Sequence, residues 1–215
     1  MAHKLLIFDL DGTLADTLHT IRDAVNMCMR HYGYPEHTYE QVRVNVGSGV
    51  RSLMQKSLPD GAEDDRFEEI LTYFNSCYLI THDQIDGCYD RLYDVVDELY
   101  HRGYALAVLS NKPDHLVKGI IKKLFPEGMF SVAMGQTELP RKPDPAVPLM
   151  IAEQLGYTAE NTCFIGDSEV DIITAKNAGM YSIAVSWGFR DRESLVENTP
   201  DRIVDTPEEL LALFD

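Results

Sequence analysis

The chain is short of positive charge. It carries 19 lysines and arginines against 35 aspartates and glutamates, a formal net charge of −16 over 215 residues. Sequence-independent nucleic-acid binding needs a basic surface, and anionic membrane surfaces attract basic segments. Neither partner is expected. Long hydrophobic runs are also missing: no apolar stretch approaches the length of a transmembrane helix. Met1-Ala2-His3-Lys4 runs straight into a strand pattern, which leaves no room for a signal peptide. A soluble, cytoplasmic protein is the expectation. Cysteine is sparse. Cys28, Cys77, Cys88 and Cys163 form no C-x-x-C pair, and their apolar or periodic surroundings read as buried free thiols in a reducing compartment. The 7 histidines show no metal-ligand spacing. Low-complexity segments, tandem repeats and long flexible linkers are absent.

What is present is enough for a substantial core, with 45% hydrophobic residues. Buried-strand patterns occur at Lys4 to Phe8, Ala105 to Leu109, Phe130 to Met134, Cys163 to Ile165 and Ser182 to Val185, with a weaker one at Arg202 to Val204. Helix-period segments alternate with them: Leu92 to His101, His115 to Leu124, Ala146 to Leu155 and Val170 to Asn177. Such alternation predicts an α/β fold with a Rossmann-like, doubly wound parallel sheet. One stretch breaks it. Residues 16–84 hold no convincing strand, and Ile21, Val25 and Met29 share a helical face, as do Ile70, Phe74 and Cys77. This stretch reads as a small helical insert placed to form a lid; residues 1–15 and 85–215 form the α/β core.

The most informative segment is Leu5-Leu6-Ile7-Phe8, ending in Asp9-Leu10-Asp11-Gly12-Thr13. Two carboxylates at i and i+2 of an extended segment point to the same side, and open α/β sheets hold ligands at such strand ends. Gly12 allows a sharp turn and close backbone approach. Like charges this near resist joint ionisation unless a cation or a shared proton relieves them. A D-x-D tripeptide also serves simply to cap a helix. Ser110-Asn111-Lys112 follows the second strand, where a hydroxyl and an amide can donate to phosphate-like oxygens, or merely cap a helix. Lys142 lies between Arg141 and Pro143-Asp144-Pro145, and the two prolines would hold it in a defined place. Gly166-Asp167-Ser168-Glu169-Val170-Asp171 ends the fourth strand; Asp167 and Asp171 share a helix face and offer oxygen ligands suited to Mg2+.

Together these segments resemble the four motifs of the haloacid dehalogenase-like superfamily, carried by Asp9-Leu10-Asp11-Gly12-Thr13, Ser110, Lys142 and Gly166 to Asp171. The insert resembles that superfamily's small helical cap. Within it, the chain looks most like the phosphoglycolate phosphatase-like group, whose glycine-bearing cap segment Gly47-Ser48-Gly49-Val50-Arg51-Ser52-Leu53 resembles. The resemblance implies a Mg2+-dependent phosphatase acting on a small phosphorylated metabolite. Asp9 is then the nucleophile and Asp11 the acid and base. Ser110 bonds the phosphoryl group with Asn111, Gly12 and Thr13 nearby, and Lys142 neutralises charge. Mg2+ is held by the Asp9 carboxylate, the Asp11 backbone carbonyl and Asp167, with Asp171 directly or through water. Gly47 and Gly49 permit close backbone approach to a substrate, and Arg51 either pairs with a carboxylate or second phosphate on it or is solvated at a helix start.

Other readings separate on particular residues. Dehalogenases of the superfamily do not need Asp11. Phosphonatases use a cap lysine, and the insert has only Lys56, in an ordinary helical stretch. A sugar phosphomutase of the β-phosphoglucomutase type carries a histidine soon after the first motif; Ile21 falls there, with His19 displaced. A non-catalytic relative is at odds with the intact motif set.

Overall fold

The computed structural model describes residues 3–85 and 87–215. It opens with β1 (Leu5–Phe8) and then four helices, α1 (Leu18–Tyr32), α2 (Tyr39–Asn45), α3 (Val50–Ser57) and α4 (Phe67–Thr81). After them come α5 (Leu92–His101), β2 (Ala105–Pro113), α6 (Asp114–Leu124), β3 (Val132–Gln136), α7 (Ala146–Gln154) and β4 (Thr162–Gly166). The chain ends with α8 (Glu169–Ala178), β5 (Tyr181–Val185), α9 (Arg192–Glu197), β6 (Arg202–Val204) and α10 (Pro207–Ala212).

The strands form one six-stranded sheet in the order β3-β2-β1-β4-β5-β6, and every pairing is parallel. Parallel strands need crossovers, and the crossover helices cover both faces. The period of two is visible in β1. Leu6 and Phe8 pack with Leu106, Val108, Cys163 and Ile165 against α5, α6 and α10. Leu5 and Ile7 pack with Ala107, Leu109 and Phe164 against Val147 and Ile151 of α7 and Ala175 of α8. The predicted α/β sheet is therefore present.

The helical insert has an apolar cluster of its own. Ile21, Val25 and Met29 of α1 meet Ile70, Phe74, Cys77 and Tyr78 of α4, joined by Leu116 and Phe189 from the sheet side. At the start of α2, Thr38 Oγ1 accepts from the Gln41 N–H while Gln41 Oε1 accepts from the Thr38 N–H, reciprocally satisfying two donors.

Two strand boundaries differ from the hydrophobic runs. β2 continues through Ser110-Asn111-Lys112-Pro113, with a register shift between Leu109 and Pro113. β3 starts two residues after Phe130, whose ring instead packs edge-on against Phe8 and Phe125, with centroids 6.4 and 5.0 Å away. Cys28, Cys77 and Cys163 are buried and free; Cys88, also free, is only half-buried, a departure from the expectation for all four. Among the described residues no helix is long and apolar enough to cross a membrane.

Candidate active site

Strand order places the site. From β1 the chain goes to β2 and β3 on one side and to β4, β5 and β6 on the other, so the sheet leaves a crevice at the carboxyl ends beside β1. Asp9 stands at the end of β1, and its N–H donates to the Ile165 carbonyl of β4 at 2.8 Å. That bond carries the sheet pairing one residue past the strand and fixes the Asp9 backbone.

Asp9, Asp167 and Asp171 are all buried, and one oxygen from each lies within 4.8 Å of the others. Lys142 Nζ sits 2.9 Å from Asp9 Oδ1 and 2.7 Å from Asp171 Oδ1, with its side chain 2% exposed. Lys142 is placed by Asn111, whose Oδ1 accepts from the Lys142 N–H at 3.0 Å and whose Nδ2 donates to the Lys142 carbonyl at 3.1 Å. Asp171 Oδ2 accepts from the Ser168 hydroxyl at 2.6 Å and the Ser168 N–H at 3.1 Å. Asp167 Oδ1 accepts from Thr13 Oγ1 at 3.2 Å and Oδ2 from the Phe189 N–H at 2.7 Å. Gly12 turns beneath this carboxylate at φ 84°, where a Cβ would overlap it.

Charge balance is incomplete. Burial pushes the Asp9 carboxyl up to about 7; Lys142 pulls it down, while Asp171 and Asp11 push it further up. Burial, with the charges of Asp171 and Asp9, holds Asp167 well above the usual carboxylate range, against the pull of the Phe189 N–H. For Lys142, burial disfavours the charge, but Asp171 and Asp9 outweigh it and hold the ammonium above its ordinary value. Lys142 thus pairs with two of the three carboxylates, and Asp167 has only the weaker pull of Arg190. Asp9 Oδ1 is moreover buried, and beyond the Lys142 ammonium at 2.9 Å it has no polar partner among the described residues. An all-oxygen donor set with a surplus of negative charge fits a hard cation.

A cavity of about 550 Å³, open mouth included, connects this edge to the helical insert. Asp9, Asp11, Ser110, Asn111 and Asp167 line its sheet side; Ile21, Val46, Val50 and Leu53 line its far wall. Gly47 and Gly49 border it at φ 125° and 84°, and the Gly47 carbonyl accepts from Asn111 Nδ2 at 3.0 Å.

Three sequence-assigned substrate contacts lie elsewhere. Arg51 does not line the cavity: it pairs with Glu68 on the surface of the insert and lies over the Phe67 ring at 5.0 Å. Gly12 and Thr13 stand behind Asp167 instead of facing the cavity. The arginine that lines the cavity is Arg190, which is not among the residues singled out from the sequence. It donates to Glu169 through Nε at 2.8 Å, to the Arg43 carbonyl at 3.0 Å and to the Val46 carbonyl at 2.8 Å, tying sheet to insert. Arg43 returns a bond to the Phe189 carbonyl. Lys112 is the other omission. Its Nζ donates to Asp11 Oδ1 at 2.8 Å and to the Tyr78 hydroxyl.

A buried strand-end carboxylate with a second acid two residues on, a fixed lysine and an acidic cluster that could hold a cation is an arrangement suited to chemistry at an aspartate. The chain belongs to the haloacid dehalogenase-like hydrolase family, which its residues 6–185 match. Phosphoglycolate phosphatase 1 of Pseudomonas aeruginosa is 30% identical over 218 residues, spanning 99% of this chain and 80% of that protein. The phosphoglycolate phosphatase of Aliivibrio fischeri is 31% identical, spanning 98% and 96%. A solved structure from Lactobacillus delbrueckii subsp. bulgaricus, provisionally described as a phosphoglycolate phosphatase, superposes with a TM-score of 0.92 at 32% identity, covering 100% of this chain and 99% of that one. Within the family, the chain falls in the phosphoglycolate phosphatase-like group and is a phosphoric monoester hydrolase.

Proposed function

We propose that the chain is a Mg2+-dependent phosphatase that hydrolyses a small, phosphoglycolate-like phosphomonoester through an aspartyl-phosphate on Asp9. The observation that carries this reading is the state of Asp9: cavity-lining, fixed by a backbone bond to β4, and with a buried Oδ1 that meets the Lys142 ammonium and no other polar partner among the described residues. Asp11 protonates the leaving oxygen and later takes a proton from water. Ser110 lines the cavity and donates its hydroxyl to the phosphoryl group. Asn111 acts at one remove, since its amide is committed to Lys142 and Gly47. Lys142 neutralises charge on Asp9 as the phosphoryl group approaches.

Asp9, the Asp11 backbone carbonyl and Asp167 hold the ion. Both oxygens of Asp171 already bond protein donors, which favours its contact through water. When bound, Mg2+ offsets repulsion between the Asp9 carboxylate and the phosphate. Residues 16–84 form the cap over a core of residues 1–15 and 85–215; its separate apolar cluster and the cavity beneath it support that division. Cap seating excludes water from the first transfer. The expected location is the cytoplasm.

Phosphoglycolate, named in the relatives, heads the substrate candidates. A phosphomutase finds no support in the position of His19, which bonds the Gln84 carbonyl at 3.1 Å while Ile21 lines the cavity. The test is phosphate release from a panel of phosphorylated metabolites with Mg2+, with EDTA, and with freshly purified Asp9→Asn checked by mass for deamidation. Turnover should depend on Mg2+ and vanish in the variant. Full activity in EDTA would overturn the metal assignment, and substantial Asp9→Asn turnover would overturn the nucleophile.

A further inference from the structure

Lys112 is a buried cation, its side chain 1% exposed, for which the chemistry above has no task. Two of its three N–H donors are committed in different directions, to Asp11 Oδ1 at 2.8 Å and to the hydroxyl of Tyr78. Tyr78 belongs to α4. It is 3% exposed and packs against Phe74 with ring centroids 5.4 Å apart. Asp11 Oδ1 also accepts from Thr17 Oγ1 at 2.7 Å. With Oδ1 gripped from two sides, the carboxyl has lost its rotation. Oδ2 has no hydrogen-bond partner among the described residues, and Asp11 lines the cavity.

We propose that Tyr78 and Lys112 are positioning residues for Asp11: the α4 hydroxyl sets the Lys112 ammonium, and the ammonium aims Asp11 Oδ2 at the leaving oxygen. The inference rests on the acid role given to Asp11 above. In the first step, the bond from Asp9 to phosphorus forms as the bond to the leaving oxygen breaks. The Asp11 proton passes to that oxygen, so a neutral alcohol departs and Asp11 is left as carboxylate. In the second step, water oxygen bonds phosphorus, the Asp9 oxygen is released, and a proton from water returns to Asp11. Only the first transfer depends on how well Asp11 is aimed at the leaving group, and only when that group needs a proton. An alkoxide does; p-nitrophenolate leaves readily without one. Tyr78 reaches Lys112 from the insert, so the acid is fully aimed only when α4 is seated on the sheet.

The experiment compares kcat/KM for p-nitrophenyl phosphate, less activated aryl phosphates and an alkyl phosphate, using the full chain with Mg2+. Wild type, Asp11→Asn, Tyr78→Phe and Lys112→Met are measured. Tyr78→Phe keeps the ring, and with it the contact of Lys112 Nζ 4.6 Å from the ring centroid. Its kcat/KM should fall about tenfold further on the alkyl phosphate than on p-nitrophenyl phosphate, a part of the usual worth of general acid catalysis. The dependence on leaving group should steepen in the same direction as for Asp11→Asn. A purely structural Tyr78 would lower every substrate alike, and that result overturns the inference while leaving the acid role of Asp11 intact. Asp11→Asn that leaves the dependence unchanged would overturn the acid role and the inference with it. Should Lys112→Met not fold, Tyr78→Phe still decides.

Discussion

Replacing the Asp9 carboxyl by an amide should make the metal-free protein more stable at neutral and alkaline pH while removing its activity. Unfolded, Asp9 titrates near 3.8; folded, burial raises it to about 7. The folded chain therefore holds this proton more tightly than the unfolded chain. Below 3.8 both states are protonated and no penalty arises. Between 3.8 and 7 the unfolded state ionises first, so stability falls as pH rises; above 7 the penalty is complete. Each unit of difference is worth about 1.4 kcal/mol, so the full penalty reaches about 4 kcal/mol. Asparagine cannot ionise and escapes it. The assay is urea unfolding in EDTA at several pH values for wild type and Asp9→Asn. Relative to the variant, wild type should lose roughly 3 kcal/mol between pH 5 and pH 8. Comparison across pH cancels the steric difference between the two side chains. Adding Mg2+ should restore wild type most at pH 8, because ion and proton compete for the same carboxylate. Stability curves that run parallel from pH 5 to pH 8 would refute the placement of Asp9 in a cation-deficient pocket.

Gly12→Ala forces a side chain into a backbone at φ 84° and against the Asp167 carboxylate, so Asp167 must shift. The Mg2+ concentration for half-maximal activity should rise about tenfold or more, read by titrating turnover against the ion. Arg51→Ala, by contrast, removes a surface pair with Glu68 and an exposed contact with the Phe67 ring. It should leave kcat/KM within about twofold and the melting temperature unchanged, as exposed pairs contribute little; a large loss confined to the natural substrate would place Arg51 in the cavity after all.

Much of this was legible beforehand because its signals are local. Leu5 to Phe8 is apolar enough for a strand buried on both faces, and the step from that run to Asp9 marks the strand end. The helical insert shows in the missing alternation between residues 16 and 84. Side-chain direction and distant partners leave no such trace. Arg51 sits in the first turn of α3, where successive side chains point about 100° apart, so Val50 lines the cavity while Arg51 meets Glu68. Arg190 is fixed by carbonyls of Arg43 and Val46, and a carbonyl has no sequence signature. Lys112 follows Ser110-Asn111, a pair that reads as a turn, while its partner Tyr78 lies 34 residues away in a helix whose sequence shows only an apolar face. Phe130 shows the opposite error: an aromatic in a loop looks like a strand residue until its packing against Phe8 is known.

The seam between sheet and insert is sewn largely through main-chain oxygens. Arg190 holds the carbonyls of Arg43 and Val46, and Asn111 holds that of Gly47. Every amino acid supplies a carbonyl. Val46 can therefore exchange its side chain, which forms part of the cavity wall, without surrendering the bond that docks the insert. Val50 and Leu53, on the same wall, make none of these docking bonds. Cavity lining and docking are thus separable on neighbouring residues. Val46 and Leu53 also belong to the insert's apolar cluster, so the wall is open to exchange among apolar side chains of similar volume while the docking bonds beneath it persist.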